Sequence, residues 1–543
     1  MTKGYLSLIL HAHLPYVRHP EFEEYLEEKW YFEAMAETYI PLVDMFDQLV
    51  DDNIPFHISM TLTPPLLSMM DDPLLRERFL NYLYRLMELS EKEVQRTKNM
   101  YQVSEVTKMY RDKLKRILYI FRDRYHGNII NAFRKYKDLG YIELLASAAT
   151  HIYMPLYEEY PEAINAQIQQ GINTYRRYFH DSPKGFWLPE CGYTPVLDEI
   201  LRKHNIYYFI CESHGVEYSI PRPEYGTYAP ICSPRGVVVF GRDQESSKQV
   251  WSMDEGYPGD YDYRDFYRDI GYDLDYEYIK PYILPNGQRT HTGLKYYKIT
   301  GKTKDKHIYI PENAMEKASI HAGNFMFNRQ QQINYYSGGM NKPPIVVCPY
   351  DAELFGHWWF EGVDWLNFVI RKSAFDQDTY QLTTPFKYLE KYPRVQVAQP
   401  CPSSWGYQGY NEVWLNGSND WIYRHIHKSL ERMTFLADRI NAGSPLMERA
   451  LNQAAREVML AQSSDWAFIM KTGTMVEYAK KRTIAHLGRF NRIYYDILNN
   501  CIDENWLRDI EYIDNIFPDM DYRMYKSPAS PIPGISQALT LSP

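Results

Sequence analysis

Short apolar runs, each closed by proline or a polar turn, recur along this chain. Gly4 to Leu10, Ile54 to Met60, Tyr141 to Ala148, Phe186 to Leu188, Ile206 to Cys211, Gly236 to Gly241 and Ile345 to Val347 are too short for helices. They are apolar on successive positions, as strands buried on both faces are. Between them the pattern changes to three-and-four spacing, as in Phe79, Leu83 and Leu86, in Leu114, Ile117, Leu118 and Phe121, and in the stretches Pro161 to Phe179 and Glu312 to about Tyr335. Seven strands separated mostly by helices predict an α/β fold, an incomplete parallel (β/α)7 barrel. Residues 64–137 hold too much helix for one crossover and predict an inserted helical layer. From Asn419 onward the amphipathic spacing is almost unbroken, over His425–Asn441, Leu446–Gln462 and Gly473–Ile497. The expected organisation is therefore a barrel over 1–410 with lid and insert segments over about 215–310, an all-α domain over 411–526, and a proline- and serine-rich disordered tail over 527–543.

Two of the strands end on acids. Gly185-Phe186-Trp187-Leu188-Pro189-Glu190 and Pro344-Ile345-Val346-Val347-Cys348-Pro349-Tyr350-Asp351 are apolar runs stopped by proline and followed by a carboxylate. The carboxyl ends of parallel strands are where α/β sheets build their sites, so Glu190 and Asp351 are expected to share one. Glu143 falls inside a strand and reads instead as a buried, paired acid. His11 and His13 close the first strand and, two apart, project to one side. They are open to three readings: satisfied core histidines, metal ligands short of a third partner, or donors to sugar hydroxyls. The segment Trp251 to Gly271 fits neither period and carries aromatics with Arg264 and Arg268, the mark of a functional loop.

Composition narrows the chemistry. Among 543 residues there are 50 tyrosines and 11 tryptophans, and the net charge is −9. Flat apolar rings with a polar edge suit sugar faces, and an acidic chain is a poor partner for nucleic acid or an anionic membrane. The first strand is broken by His11 before an export signal could form, no apolar run is long enough to span a bilayer, and the six cysteines make no Cys-x-x-Cys pair. A cytoplasmic protein with reduced thiols is expected.

Three strings carry a resemblance. His11-Ala12-His13-Leu14-Pro15, Gly185 to Tyr193, and Tyr350-Asp351-Ala352-Glu353-Leu354-Phe355-Gly356-His357-Trp358-Trp359 resemble signature regions of glycoside hydrolase family 57, most closely its 1,4-α-glucan branching enzymes. The resemblance implies Glu190 as nucleophile and Asp351 as general acid/base. It implies an α-glucan substrate met by His11, His13, His151, Trp187, Trp251, Arg268, Gly287, Glu353, His357, Trp405 and Asp465, with no cofactor and no metal. Ile152 and Met154 depart from the pattern and bear on subsite shape. The family also contains amylases, 4-α-glucanotransferases and non-catalytic relatives, which are the alternatives, and a metal-dependent deacetylase on a related barrel is a more distant one. Retaining cleavage takes two carboxyls about 5 Å apart in opposite protonation states. Glu190 is expected to be held ionised by donors such as His11 or His13, and Asp351 to be held protonated near Glu353. Tyr225, Tyr228, Trp251, Trp405 and Tyr407 are the candidates for a lid that excludes water.

Overall fold

The computed structural model describes residues 2–252, 255–284 and 286–527; the expected tail beyond Ser527 lies outside them. Ten strands form one sheet: β1 (Gly4–Ala12), β2 (Ile58–Leu62), β3 (Ile142–Ser147), β4 (Gly185–Trp187), β5 (Tyr208–Cys211), β6 (Ile231–Cys232), β7 (Val238–Gly241), β8 (Ile345–Asp351), β9 (Tyr380–Leu382) and β10 (Gln396–Val397). Their order is β10-β6-β7-β5-β4-β3-β2-β1-β8, with β9 beside β1. All seven expected strands are present. The three additional ones, β6, β9 and β10, are two or three residues long, too short to express a period. Every pairing is parallel except β6 with β7. The sheet curls far enough for the Asp243 N–H, just past β7, to donate to the Val347 carbonyl on β8 at 2.8 Å.

Strand parity assigns the faces. Tyr5 and Ile9 of β1, Ile345 and Val347 of β8, Trp187, Tyr208 and Ile210 pack together as the barrel's small interior. Leu6, Leu8 and Leu10, with Val346 and Cys348, join the larger core under the surrounding helices. Because side chains alternate along a strand, continuing the odd positions upward brings His11 and Asp351 to the interior side at the carboxyl rim. The two are register partners across the β1–β8 ladder. Glu143 on β3 accepts from the Tyr208 hydroxyl at 2.7 Å, a buried and paired acid as its sequence context implies.

The inserted layer is four helices, Pro64–Asp71, Pro73–Thr97, Tyr101–Leu118 and Ile130–Asp138. Its Lys113 and the barrel loop's Arg264 stand over the ring of Phe360, at 3.9 and 4.1 Å from its centroid. The carboxyl-terminal helices Trp421–Arg439, Pro445–Ala461, Ser464–Thr472, Val476–Leu498 and Glu504–Ile513 pack on the barrel's rim. Gln167 donates to Gln462 at 3.0 Å, Arg482 to the Tyr16 carbonyl at 3.2 Å, and the Ser464 N–H to the His151 carbonyl at 2.9 Å. The short helix Ser464–Thr472, between two of the expected amphipathic stretches, brings Asp465 and Phe468 to the cleft beside Val413 and Trp414 of the same domain.

Candidate active site

A cleft of about 1880 Å³ opens where the barrel's carboxyl rim meets the helical domain. His11, His13, His151, Glu190, Asp351 and Glu353 line it from the strand ends, Trp251, Arg264 and Arg268 from the insert, and Trp405, Tyr407 and Asp465 from the far side.

Glu190 leaves β4 in a left-handed conformation, φ 61°, and Cys191 follows at φ 50°. Two consecutive side-chain-bearing residues there cost roughly 1–2 kcal/mol each, so surrounding contacts must impose the turn. Pro189 stops the strand. Gly192 then packs so tightly that an added Cβ would lie 2.7 Å from the Tyr153 ring. Trp405 clamps the acid twice, its N–H on the Glu190 carbonyl at 3.0 Å and its indole Nε1 on Oε2 at 2.7 Å. Ser464 Oγ donates to the other oxygen, Oε1, at 2.8 Å. The anion's donors are thus a tryptophan and a serine, not the His11 or His13 expected from the sequence.

The three histidines form a column. His13 and His151 stack with ring centroids 3.7 Å apart, and His11 stacks on Trp187 at 4.5 Å. His13 Nε2 lies 3.0 Å from an Asp465 oxygen, and His11 Nε2 lies 3.0 Å from His151 Nε2. Burial pulls the pKa of His13 down, but Asp465 more than offsets it and the net shift is upward. Asp465 is correspondingly held down at about 2, with His13 overcoming the cost of burial. Burial and the adjacent imidazoles push His11 well below the usual range, and burial with His13 does the same to His151. Asp465 thus favours the charged form of His13, and burial favours the neutral forms of His11 and His151.

Asp351 and Glu353 sit on β8 and just after it. Burial raises Asp351 to about 6, against the opposing charges of Arg242 and His13. Glu353 accepts from the His13 N–H at 3.0 Å and from the Tyr39 hydroxyl. Burial and then Asp351 raise it to about 7, and it makes no hydrogen bond to Asp351 among the described residues. Burial raises Glu190 to about 7 as well, with the bonds from Trp405 and Ser464 opposing and the charges of Asp465 and Asp351 adding to the rise. The expected split, a low Glu190 and a high Asp351, does not appear in the protein itself. Burial is the first cause of the rise in both acids.

Several expected contacts lie elsewhere. Trp187 is fully buried behind His11 and supports it from the barrel interior. His357 points away to Glu37, 2.6 Å distant, and does not line the cleft. Gly287 makes a left-handed turn against the Tyr276 hydroxyl, outside the cleft. Tyr225 reaches the Asn341 N–H, and Tyr228 stacks on Tyr336 at 3.5 Å, and neither tyrosine lines the cleft. Trp251 and Tyr407 do face the cleft and are 66 % and 62 % exposed. Arg268 lines it while paired to Asp273 at 2.7 Å, and Arg264 lines it from a buried position. Ser464, Arg242 and Tyr218 have places at or beside the site that no sequence signal marked.

His13, His151 and Asp465 bring ligand atoms within 4.8 Å of one another. A metal ion needs in-plane lone pairs that converge, whereas stacked rings at an interplanar angle of 14° aim theirs side by side. The three residues are engaged with one another and with Ser464, Thr63 and His11, and do not fit a metal without rearrangement.

Two carboxyls beneath exposed aromatics at a parallel-strand rim are the equipment of glycoside chemistry, and comparison with known proteins agrees. Residues 7–401 match the model of glycosyl hydrolase family 57, and residues 425–525 match that of the 1,4-alpha-glucan branching enzyme C-terminal region. The chain belongs to glycosyl hydrolase family 57. It is 32 % identical, over 95 % of its own length and 77 % of the relative's, to a 1,4-alpha-glucan branching enzyme of Thermococcus kodakarensis. Among solved structures it is similar to an alpha-amylase of Thermotoga maritima (44 % identity, TM-score 0.91, 97 % of this chain and 100 % of that one). It is also similar to a branching enzyme of Pyrococcus horikoshii (33 % identity, TM-score 0.87, 98 % of each chain).

Proposed function

We propose that the protein is a 1,4-α-glucan branching enzyme that works by double displacement. A Glu190 carboxylate oxygen attacks the anomeric carbon, the C1–O4 bond breaks, and O4 leaves with the proton of Asp351. A 6-hydroxyl oxygen of another glucan chain then attacks C1, gives its proton to Asp351 and releases Glu190, so the anomeric configuration is retained over the two steps. The Asp465–His13 pair supplies hydroxyl partners beside the reacting sugar, with His151 and His11 stacked behind it. Trp251, Trp405 and Tyr407 supply faces that shed water from the intermediate. Barrel residues 1–410 form the catalytic unit in this reading, α-glucan of the glycogen or starch type is the substrate, and the setting is cytoplasmic. No helix among the described residues is long and apolar enough to cross a membrane.

The observation that carries the reading is the meeting of the two strand-end acids with Ser464 and Asp465, which come from the segment that matches the branching-enzyme model. Hydrolysis is the second reading, favoured by the 44 % identity to an amylase. Incubation with amylose followed by debranching separates the two. New α-1,6 linkages without a matching rise in reducing ends are expected; reducing ends without branches would establish hydrolysis instead.

A further inference from the structure

Ser464 is 3 % exposed and is held at the first position of its helix by backbone contacts on both sides, its own N–H on the His151 carbonyl and a bridge between Ser463 and Ile152. Its hydroxyl stands between two acceptor-capable atoms, Glu190 Oε1 at 2.8 Å and His151 Nδ1 at 2.9 Å. A hydroxyl has one hydrogen, so the direction of one bond sets the direction of the other. If Ser464 donates to the carboxylate, it accepts from His151 Nδ1–H. His151 Nε2 is then a lone pair, and the atom that faces it at 3.0 Å, His11 Nε2, must carry the hydrogen. His11 Nδ1 is left bare, and it is the one atom of the series that is buried with no partner. Running the series backward would require a buried N–H at that same atom with nothing to accept it, an arrangement folded proteins avoid more strictly than an unused lone pair.

We propose that Ser464 is a positioning residue for the nucleophile, the last member of a one-way relay His11→His151→Ser464→Glu190 that holds the Glu190 carboxyl as an acceptor aimed into the cleft. The low pKa of both relay histidines fits, because each must stay neutral to donate with one nitrogen and accept with the other. The relay also opposes the rise in pKa that burial gives Glu190: of the two side-chain bonds that act against that rise, Trp405 supplies one and Ser464 the other. The inference rests on Glu190 being the nucleophile.

Ser464→Ala removes the donor and leaves the other titratable and charged groups facing Glu190 in place: Asp351 on β8, Asp465 paired with His13 at the end of β1, Glu353 behind His13, and Arg242 over the Trp405 ring. Initial rates on amylose across pH should show kcat lowered about 10- to 100-fold, KM changed less than about twofold, and the acidic limb of kcat/KM moved up by about one pH unit. Ser464→Thr should restore the limb, and Ser464→Cys, a weak donor, should fall between. A limb unmoved in Ser464→Ala, or equally displaced in Ser464→Thr, overturns the relay. Should the alanine variant not fold, the threonine and cysteine variants decide alone, since identical limbs in those two would overturn it as well. Glu190→Gln measured alongside separates the two claims. Turnover that survives it removes the nucleophile reading whatever Ser464 does, whereas lost turnover with an unmoved limb removes only the relay.

Discussion

The molecule contains two histidine–carboxylate clusters of similar composition and opposite use. In the helical domain Glu457, His486 and Asp514 are fully buried, with His486 Nδ1 2.7 Å from Glu457. Arg489 pairs with Asp514, and Arg482 stands 3.6 Å from it. At the rim His13, His151 and Asp465 stand beside Glu190 and Asp351, and among the described residues no arginine pairs with any of these three acids. Burial raises carboxyls in both places, Glu457 and Asp514 in the first cluster and Glu190 and Asp351 beside the second. The first joins helices with Arg489 and Arg482 beside Asp514, whereas the second lines an open cleft with no paired arginine among the described residues, an arrangement suited to proton transfer. The difference lies in guanidinium partners and in access to the cleft, not in the residue types.

The largest effect that would break this comparison is on turnover. Glu190→Gln and Asp351→Asn should each lower kcat at least about 10³-fold with near-ultraviolet circular dichroism unchanged. A rate within tenfold of the parent for either would remove that acid from the chemistry. The next effect is on stability. Asp514→Asn strands Arg482 and Arg489 in the interior and should cost about 3–5 kcal/mol in denaturant unfolding, while kcat of the folded enzyme stays within about twofold. A loss below about 1 kcal/mol would mean that the helical-domain cluster is not a structural tie.

The smallest effect has the opposite sign and depends on pH. The folded-state pKa of Glu190 is raised from 4.5 to about 7, so the parent bears no ionisation penalty below about pH 4.5. It loses stability as pH climbs through that window and carries the full cost above about 7. Glu190→Gln should therefore unfold later than the parent by about 1–3 kcal/mol at pH 8, and by nothing measurable at pH 4. A difference independent of pH would assign the gain to the amide's hydrogen bonds with Trp405 and Ser464 instead of the charge.

Much of the barrel could be read from the chain because its strands are continuous apolar runs ended by proline, and the same punctuation exposed Glu190 and Asp351. The pattern could not say which way a side chain turns in an irregular segment. Tyr225 and Tyr228 follow the fifth strand as a lid would, yet Tyr228 stacks on Tyr336 of the helix Pro311–Ser337 and Tyr225 meets the Asn341 N–H just past that helix. Gly287 lies outside the cleft, and its φ of +81° is reason enough for a glycine there. His357, in the middle of a signature string, is claimed by Glu37, more than 300 residues earlier. Ser464 was hidden for a different reason: it begins a nine-residue helix between two long amphipathic ones, where no period stands out and where only the tertiary fold brings it beside Glu190.

That placement has a consequence for synthesis. The strands bearing both acids leave the ribosome long before Ser463, Ser464 and Asp465, so a nascent barrel can thread its rim and even shape half a groove while lacking the hydroxyl and the carboxylate that complete it. Chains terminated before residue 463 would therefore carry both acids in an unfinished cleft.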